Sequence, residues 1–190
     1  MRISSWFVAS LLCVLPVTAA AEDPSAARGT PSPAATEALR LLESQDAYQR
    51  QMGFLRLEAL REPATLPVIR SYLTSRNPEV RAYSLRAVGA IGGTASIPTL
   101  LEALRQDKDQ EVRRAAVLGL EPLASGDPEV LPAFIRALRD RSSEVRMSAV
   151  DVVSRIDDPR AREAIRLRQK REHNGDVRRV LKAAVKRLKS

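Results

Sequence analysis

The sequence predicts an all-α protein, an α-solenoid built from antiparallel helix pairs that stack along one axis. One phrase recurs nearly unchanged in "NPEVRAYSLRAV" (77–88), "DQEVRRAAVLGL" (109–120), "SSEVRMSAVDVV" (142–153) and "NGDVRRVLKAAV" (174–185). The Val-Arg pairs of these phrases lie 32, 33 and 32 residues apart. A repeat of that length is typical of helical solenoids, because one helix pair cannot bury its apolar face alone while stacked pairs share a core.

The first helix of each repeat begins at a residue that can cap it. Asn77, Asp109, Ser142 and Asn174 each stand three positions before the repeated valine. Their side chains can accept hydrogen bonds from the free backbone amides of the first helical turn. An acidic residue follows each of them two positions later, where the helix dipole favours negative charge. A weaker fifth copy begins at Asp46, which can also cap.

Apolar spacing places two helices in each repeat. Downstream of the first three repeated valines, apolar residues recur at offsets of five, eight and eleven positions, which is one face of a helix. A break rich in Gly, Pro, Ser and Asp then precedes a second apolar helix. We therefore expect a leading helix over about 36–44, four helix pairs over about 46–171 and a closing helix over about 175–189.

The repeated phrase carries a family resemblance. The pattern Asp-x-x-Val-Arg-x-x-Ala-x-x-x-Leu, followed by a second apolar helix, resembles the short HEAT-like repeats of the phycobilisome-lyase type. "DQEVRRAAVLGLEPL" matches it well, whereas Asn77 and Ser142 replace the Asp in two other copies. The resemblance covers roughly residues 46–189. It implies a right-handed superhelix whose second helices line a concave face, and it leaves the partner open because such proteins have many unrelated partners.

The arginine of each phrase needs a separate explanation. It lies four positions after the cap, where a cation opposes the helix dipole. We expect these arginines to form a structural ladder of Arg–carboxylate pairs between neighbouring repeats, because acidic residues recur in step with them. The alternative is a row of arginines that bind an external anion. The ladder residues are Arg50, Arg81, Arg113, Arg146 and Arg178, and the candidate acids are Asp107, Asp109, Glu111, Asp140 and Glu144.

The N-terminal segment predicts export. Residues 1–21 combine a basic start, an apolar run and an Ala-x-Ala end, which is typical of a secretory signal peptide. An uncleaved N-terminal anchor is the alternative. Residues 22–35 are rich in Pro, Ala and Ser and predict a disordered leader, and residues 36–190 form the repeat domain. We expect a periplasmic or secreted bacterial protein.

Composition argues against several kinds of catalytic site. The single cysteine, Cys13, lies in the predicted signal peptide, so the mature chain is expected to have neither a disulfide nor a thiol nucleophile. The single histidine, His173, cannot build the usual transition-metal site alone. No phosphate-binding glycine loop or nucleophile motif is present. We therefore expect a protein that is not an enzyme and has no cofactor, metal or evident small-molecule substrate.

Charge is concentrated at the C-terminal end. Residues 22–156 carry 18 basic and 18 acidic side chains, whereas residues 157–190 carry 12 basic and 5 acidic ones. The basic stripe of the closing helix is either a solubilising cap of the solenoid or a site for an anionic lipid, glycan or nucleic acid. Its residues are Arg178, Arg179, Lys182, Lys186, Arg187 and Lys189.

A second candidate surface lies on the second helices. Arg105, Arg139 and Arg168 occupy late positions of three of them, and Tyr72 lies off the apolar stripe of the first pair. Cations also suit helix C-termini, and a single Tyr is often a packing residue, so both features have structural explanations. We expect an adaptor that binds a protein partner on the concave face. The alternatives are polyanion binding through the basic closing helix and a lyase-type or enzyme-accessory role.

Overall fold

The protein consists of stacked helices. The computed structural model describes residues 29–125 and 127–188, which contain ten α-helices and no strand. The predicted all-α solenoid is confirmed. The helices are α1 (Pro33–Leu42), α2 (Ala47–Leu60), α3 (Leu66–Ser71), α4 (Pro78–Gly92), α5 (Ile97–Gln106), α6 (Gln110–Leu120), α7 (Val130–Ala137), α8 (Ser143–Val153), α9 (Pro159–Arg171) and α10 (Gly175–Arg187).

The helices form two layers. The first helices of the repeats, α2, α4, α6, α8 and α10, pack side by side in chain order. The second helices α3, α5, α7 and α9 pack against them, and short 3₁₀ segments shape several of the turns. Each pair thus contacts mainly the pairs before and after it, as in other repeat proteins.

Side-chain caps start the first helices. In four of these helices the cap residue has an extended backbone, and its side chain accepts a hydrogen bond from the backbone N–H two positions later. These cap residues are Asn77, Asp109, Ser142 and Asn174. Asp46 caps α2 in the same way. These bonds satisfy amides that have no partner inside the helix, which fixes where each helix begins.

The first layer is closely packed. A Cβ atom built on Gly89 of α4 would lie 3.3 Å from the carbonyl oxygen of Gly119 in α6. A Cβ atom on Gly119 would lie 2.9 Å from Leu100 Cδ2. The lack of a side chain at both glycines therefore lets α4 and α6 pack closely. Leu100 of α5, in the second layer, packs against both glycines.

The N-terminal boundary differs slightly from the expected one. Helix α1 begins at Pro33, within the stretch 22–35 assigned to the leader, because the Ser32 hydroxyl caps it by accepting from the backbone N–H of Ala35. Ser32 is held in turn by its backbone N–H, which donates to Glu62 Oε2 at 2.9 Å. The predicted signal peptide at 1–21 and the leader up to residue 28 lie outside the described residues.

Candidate partner-binding surface

The recurring arginine binds a carboxylate of the next repeat. Arg113 donates from Nε and Nη2 to the two oxygens of Asp140, both at 2.8 Å. Its Nη1 donates to the backbone carbonyls of Asp107 and Lys108, in the turn that precedes its own helix. The Arg113 side chain is only 4% exposed. One guanidinium therefore joins two consecutive inter-repeat turns.

Two neighbouring junctions repeat this geometry. Arg81 donates to both oxygens of Asp107 at 2.9 Å, and Arg146 donates to both oxygens of Glu172 at 3.0 and 3.1 Å. Each carboxylate lies two residues before the cap of the following first helix and also accepts that cap residue's backbone N–H. The three pairs thus fix the turns through which successive repeats are entered.

Burial and hydrogen bonding oppose each other at these carboxylates. Burial raises the pKa of Asp140, but the hydrogen bonds from Arg113 and from the Ser142 backbone outweigh it and leave the pKa below its usual range. Burial also raises the pKa of Glu172, yet hydrogen bonds from the Asn174 backbone, Arg146 and Arg168 bring it down to about 2. These groups are therefore carboxylates at neutral pH.

The ladder is incomplete at its two outer positions. Among the described residues Arg50 donates only to the carbonyls of Ser44 and Gln45, because Ser75 stands where the acid would be. Arg178 is exposed and has no side-chain partner among the described residues. The geometry found at Arg81, Arg113 and Arg146 is therefore absent at these two members of the expected set.

The identity of the acids was only partly foreseen. Asp107 and Asp140 bind ladder arginines, but Asp109 instead caps α6 and Glu111 pairs with Arg114 at 2.8 Å. Glu144 forms no ion pair among the described residues. The third acid, Glu172, is not among the acids expected from the sequence. It lies two residues before a helix cap, as Asp107 and Asp140 do, and this shared position is the signal that identifies it.

The expected partner-binding side chains are dispersed. Arg105 is exposed and pairs with Glu102 at 3.2 Å, whereas Arg168 is largely enclosed and bound to Glu172. Tyr72 is partly buried and packs edge-on against Phe54, with ring centroids 5.5 Å apart. Burial raises its pKa, and the nearby charge of Glu43 adds to that effect. These three side chains are thus already engaged within the chain.

Arg139 instead borders a groove that the sequence did not reveal. The groove lies between α7 and α9 and has a volume of about 480 Å³. Its floor is apolar and is formed by Ile135, Leu138, Ala164 and Leu167. Leu167 has the spacing of a buried residue in its helix, but it is 39% exposed. The small side chain of Ala164 leaves this space open.

The rim of the α7–α9 groove carries cations. Arg139 and Arg171 are exposed and have no ion-pair partner among the described residues, whereas Arg160 pairs with Asp158 at 2.8 Å. Glu163 is the one acidic side chain that lines it. An apolar floor with a cationic rim suits an amphipathic segment of another protein.

The basic closing helix contributes a separate cleft. The cleft has a volume of about 530 Å³. Its basic lining residues are Lys170 of α9 and Arg178, Arg179 and Lys182 of α10. Arg187 is not part of it, since its Nη2 donates to Ser154 Oγ at 2.9 Å. Of the remaining two residues of the expected stripe, Lys186 is exposed to solvent. Lys189 lies outside the described residues.

The described residues show no metal-binding cluster. No group of three or more His, Cys, Asp or Glu side chains that could hold a metal ion is found among them. His173 is exposed in the turn before α10, where its backbone N–H donates to Glu172.

One part of the chain is similar to a curated protein. A phycobilisome maturation protein of Synechococcus elongatus is 43% identical over 61 residues, which is 32% of this chain and 29% of that protein. The match therefore spans under a third of the relative's length.

Solved structures show the same architecture. The complex of CpcE and CpcF of phycocyanin lyase from Nostoc matches with a TM-score of 0.63 at 21% identity, covering 80% of this chain and 97% of that chain. A designed armadillo repeat protein in complex with the peptide (KR)4 matches with a TM-score of 0.52 at 16% identity, covering 79% and 80%. At such identities the likeness establishes the fold.

These similarities correct one expectation from the sequence. A protein that is not an enzyme was expected from the absence of catalytic motifs, but the proteins it resembles are a maturation protein and a lyase subunit. The expectation of a protein that is not an enzyme is therefore contradicted by these similarities.

The family itself follows from the repeats. The model of HEAT repeats matches residues 33–121 and again residues 97–186, which together span most of the chain and all ten helices but the last residue of α10. The resemblance to HEAT-like repeats of the phycobilisome-lyase type is thereby confirmed. The chain belongs to the HEAT-repeat family.

Proposed function

We propose that this protein is a subunit of a lyase-type or maturation assembly and that it works by holding a partner protein. The observation that carries the proposal is the 43% identity over 61 residues to a phycobilisome maturation protein. The likeness to a lyase subunit supports it, since it extends over 97% of that chain.

A protein partner is supported by two further observations. The similar lyase structure is a complex of two subunits, so that protein works as an assembly. This chain also carries an apolar groove with an exposed leucine, Leu167, beside the unpaired Arg139. Buried apolar anchors beside arginines dominate the energetics of many protein interfaces. We place the main contact with the partner at the α7–α9 groove.

Capture of the partner tests the location of the contact. The full chain, immobilised, is incubated with an extract of the source organism, and retained proteins are identified by mass spectrometry. Leu167→Glu is expected to reduce retention of the specific partner at least about tenfold, because it places a charge in the apolar floor. Leu118→Glu is the matched control, since Leu118 is 37% exposed on α6, away from the groove. Equal loss in both variants would contradict the location.

A second measurement tests the lyase-type role. The captured partner is incubated with and without the chain, and its intact mass is recorded over time. A lyase-type subunit is expected to accelerate a change in mass that corresponds to a covalent bond formed or broken on the partner. If the partner is captured through the groove but its mass changes at the same rate without the chain, the lyase-type role is refuted and only binding remains.

A further inference from the structure

Unpaired cations gather on one face formed by α9 and α10. We define this basic face by Lys170, Arg178, Arg179, Lys182 and Lys186, all of which are exposed. Four of them line a common cleft, and no carboxylate lines it. Among the described residues only Arg179 of this set forms an ion pair, with Asp176 at 2.9 Å. The remaining four positive charges are uncompensated.

Arg178 has a special position within the basic face. It occupies the same place in its repeat as Arg81, Arg113 and Arg146, four residues after the helix cap. Each of those three arginines binds both oxygens of a carboxylate. The described residues offer Arg178 no such carboxylate, so its guanidinium is left exposed at the position that elsewhere in the chain binds an acid.

The surroundings of Arg178 favour a carboxylate over other anions. The exposed large apolar residues of the described chain include none on α10, so insertion of this helix into a membrane surface has no apolar support. No aromatic side chain lies on α9 or α10 on which a base could stack. Arginine binds a carboxylate through two parallel hydrogen bonds, as three other repeats of this chain demonstrate.

We propose that the basic face binds a carboxylate-rich surface of the partner protein, with Arg178 gripping one acidic side chain through both arms of its guanidinium. The inference rests on the proposed function in assuming that the partner is a protein. It adds that the partner is acidic where it meets α9 and α10. Docking then has two components, apolar contact at the α7–α9 groove and charge pairing at the basic face.

The test uses the full chain and a defined acidic probe, fluorescein-labelled poly-L-glutamate. Anisotropy is followed for the wild type, for the double variant Arg178→Glu/Lys182→Glu and for the control Arg56→Glu/Arg70→Glu. The control residues are exposed, have no ion-pair partner among the described residues and lie on α2 and α3, so the net charge changes equally. We expect the first variant to bind at least about tenfold more weakly and the control to bind nearly as well as the wild type.

A conservative substitution and two other probes complete the test. Arg178→Lys is expected to lose part of the affinity although the charge is kept, because lysine cannot form the paired hydrogen bonds. Equal weakening in both charge-reversed variants, or none in Arg178→Glu/Lys182→Glu, would overturn the proposal. So would an RNA oligonucleotide or anionic phospholipid vesicles that bind through Arg178 and Lys182 while poly-L-glutamate does not bind.

The failure of this inference and the failure of the proposed function can be told apart. Capture of the partner is expected to depend on Leu167, which lies in the α7–α9 groove and not on the basic face. If capture survives Arg178→Glu/Lys182→Glu but fails in Leu167→Glu, the proposed function stands and this inference falls. If poly-L-glutamate binds through Arg178 but no partner is captured, the proposed function falls and only the affinity of the basic face for carboxylates stands.

Discussion

Arg113 shows how a single side chain can determine the geometry of a junction between repeats. It is 4% exposed and pairs with Asp140, which is 12% exposed. Taking two charges out of water is costly, so the gain from the pair depends on the four hydrogen bonds that Arg113 donates. The pair therefore contributes more to the specific arrangement of the turns than to net stability. Removing one partner alone should nevertheless lower the free energy of unfolding, because the other charge is then left without its partner.

Replacing Arg113 is expected to destabilise the fold strongly. Arg113→Ala removes the countercharge and two hydrogen bonds of the largely buried Asp140 carboxylate and the arginine donor of two carbonyls, so the free energy of unfolding should fall by about 3–5 kcal/mol. Urea unfolding followed by circular dichroism measures it. Arg114→Ala is the matched control, since Arg114 is 43% exposed and pairs only with Glu111 in its own helix. That change is expected to cost less than about 1 kcal/mol. Similar losses in the two variants would refute the structural role of Arg113.

Glu172 makes stability depend on pH in the acidic range. Its pKa in the folded protein is about 2, against an ordinary pKa of 4.5 in the unfolded chain. Because the folded pKa is lowered, the contribution is fully present above the unfolded pKa and is lost as pH falls from about 4.5 through 2. The shift corresponds to roughly 3 kcal/mol for this nearly fully buried side chain.

The pH dependence is checked by comparing variants. The unfolding free energy of the wild type should fall more steeply between about pH 5 and pH 2 than that of Glu172→Gln, which has no proton to gain there. Glu163→Gln serves as the control, because Glu163 is exposed and has no ion-pair partner among the described residues. An identical pH profile for the wild type and Glu172→Gln would show that Glu172 does not carry this effect.

At the scale of elements, close helix packing depends on a few glycines. A Cβ atom on Gly53 of α2 would lie 2.8 Å from Leu42 Cδ2 and 2.9 Å from the carbonyl oxygen of Ala38, both in α1. A side chain can move, but the Ala38 backbone cannot move without displacing the helix. The contact between α1 and α2 therefore requires glycine at this position for steric reasons.

Gly53→Ala is expected to destabilise the protein by about 1–3 kcal/mol, since strain outweighs the better helix propensity of alanine. The midpoint of urea unfolding gives the change. Gly175→Ala provides the comparison, because nothing lies within 4 Å of its Cβ position at the start of α10. That substitution should be neutral or slightly stabilising. A stabilised Gly53→Ala protein would mean that α1 is not packed on α2 in this way.

The helices could be predicted because their signals are local. Asp109 caps α6 by accepting one hydrogen bond from the backbone N–H of Glu111 in the first turn, and the apolar stripe that follows has one period. The acid that each arginine binds lies 26 or 27 residues away along the sequence. The recurrence of arginines and acids therefore predicts a ladder, but it does not identify Glu172 as one of the acids. The α7–α9 groove was not foreseen either. Leu167 has the spacing of a core residue, and its exposure is decided by the distance between two helices, which no periodicity encodes.

At the scale of the whole molecule, the repeats form a nearly one-dimensional array. Each helix pair packs mainly on its two neighbours, so stability is approximately a sum of repeat and junction terms. Charge follows a different pattern, because residues 22–156 are balanced while residues 157–190 carry 12 basic and 5 acidic side chains. The α7–α9 groove and the basic face both involve α9, which places the two proposed contacts with the partner at the same end of the solenoid.

Weakening one junction is expected to loosen the array only on one side. Arg146 joins the turn before α8 to Glu172 in the turn before α10. In an array with nearest-neighbour coupling, Arg146→Ala should accelerate amide hydrogen exchange in α10 by about tenfold or more while exchange in α4 changes little. Mass spectrometry of peptides from α4 and α10 measures both rates. A uniform acceleration along the chain would show instead that the repeats open as one cooperative unit, in which case a partner bound at α9 and α10 would stabilise the entire solenoid and not its C-terminal end alone.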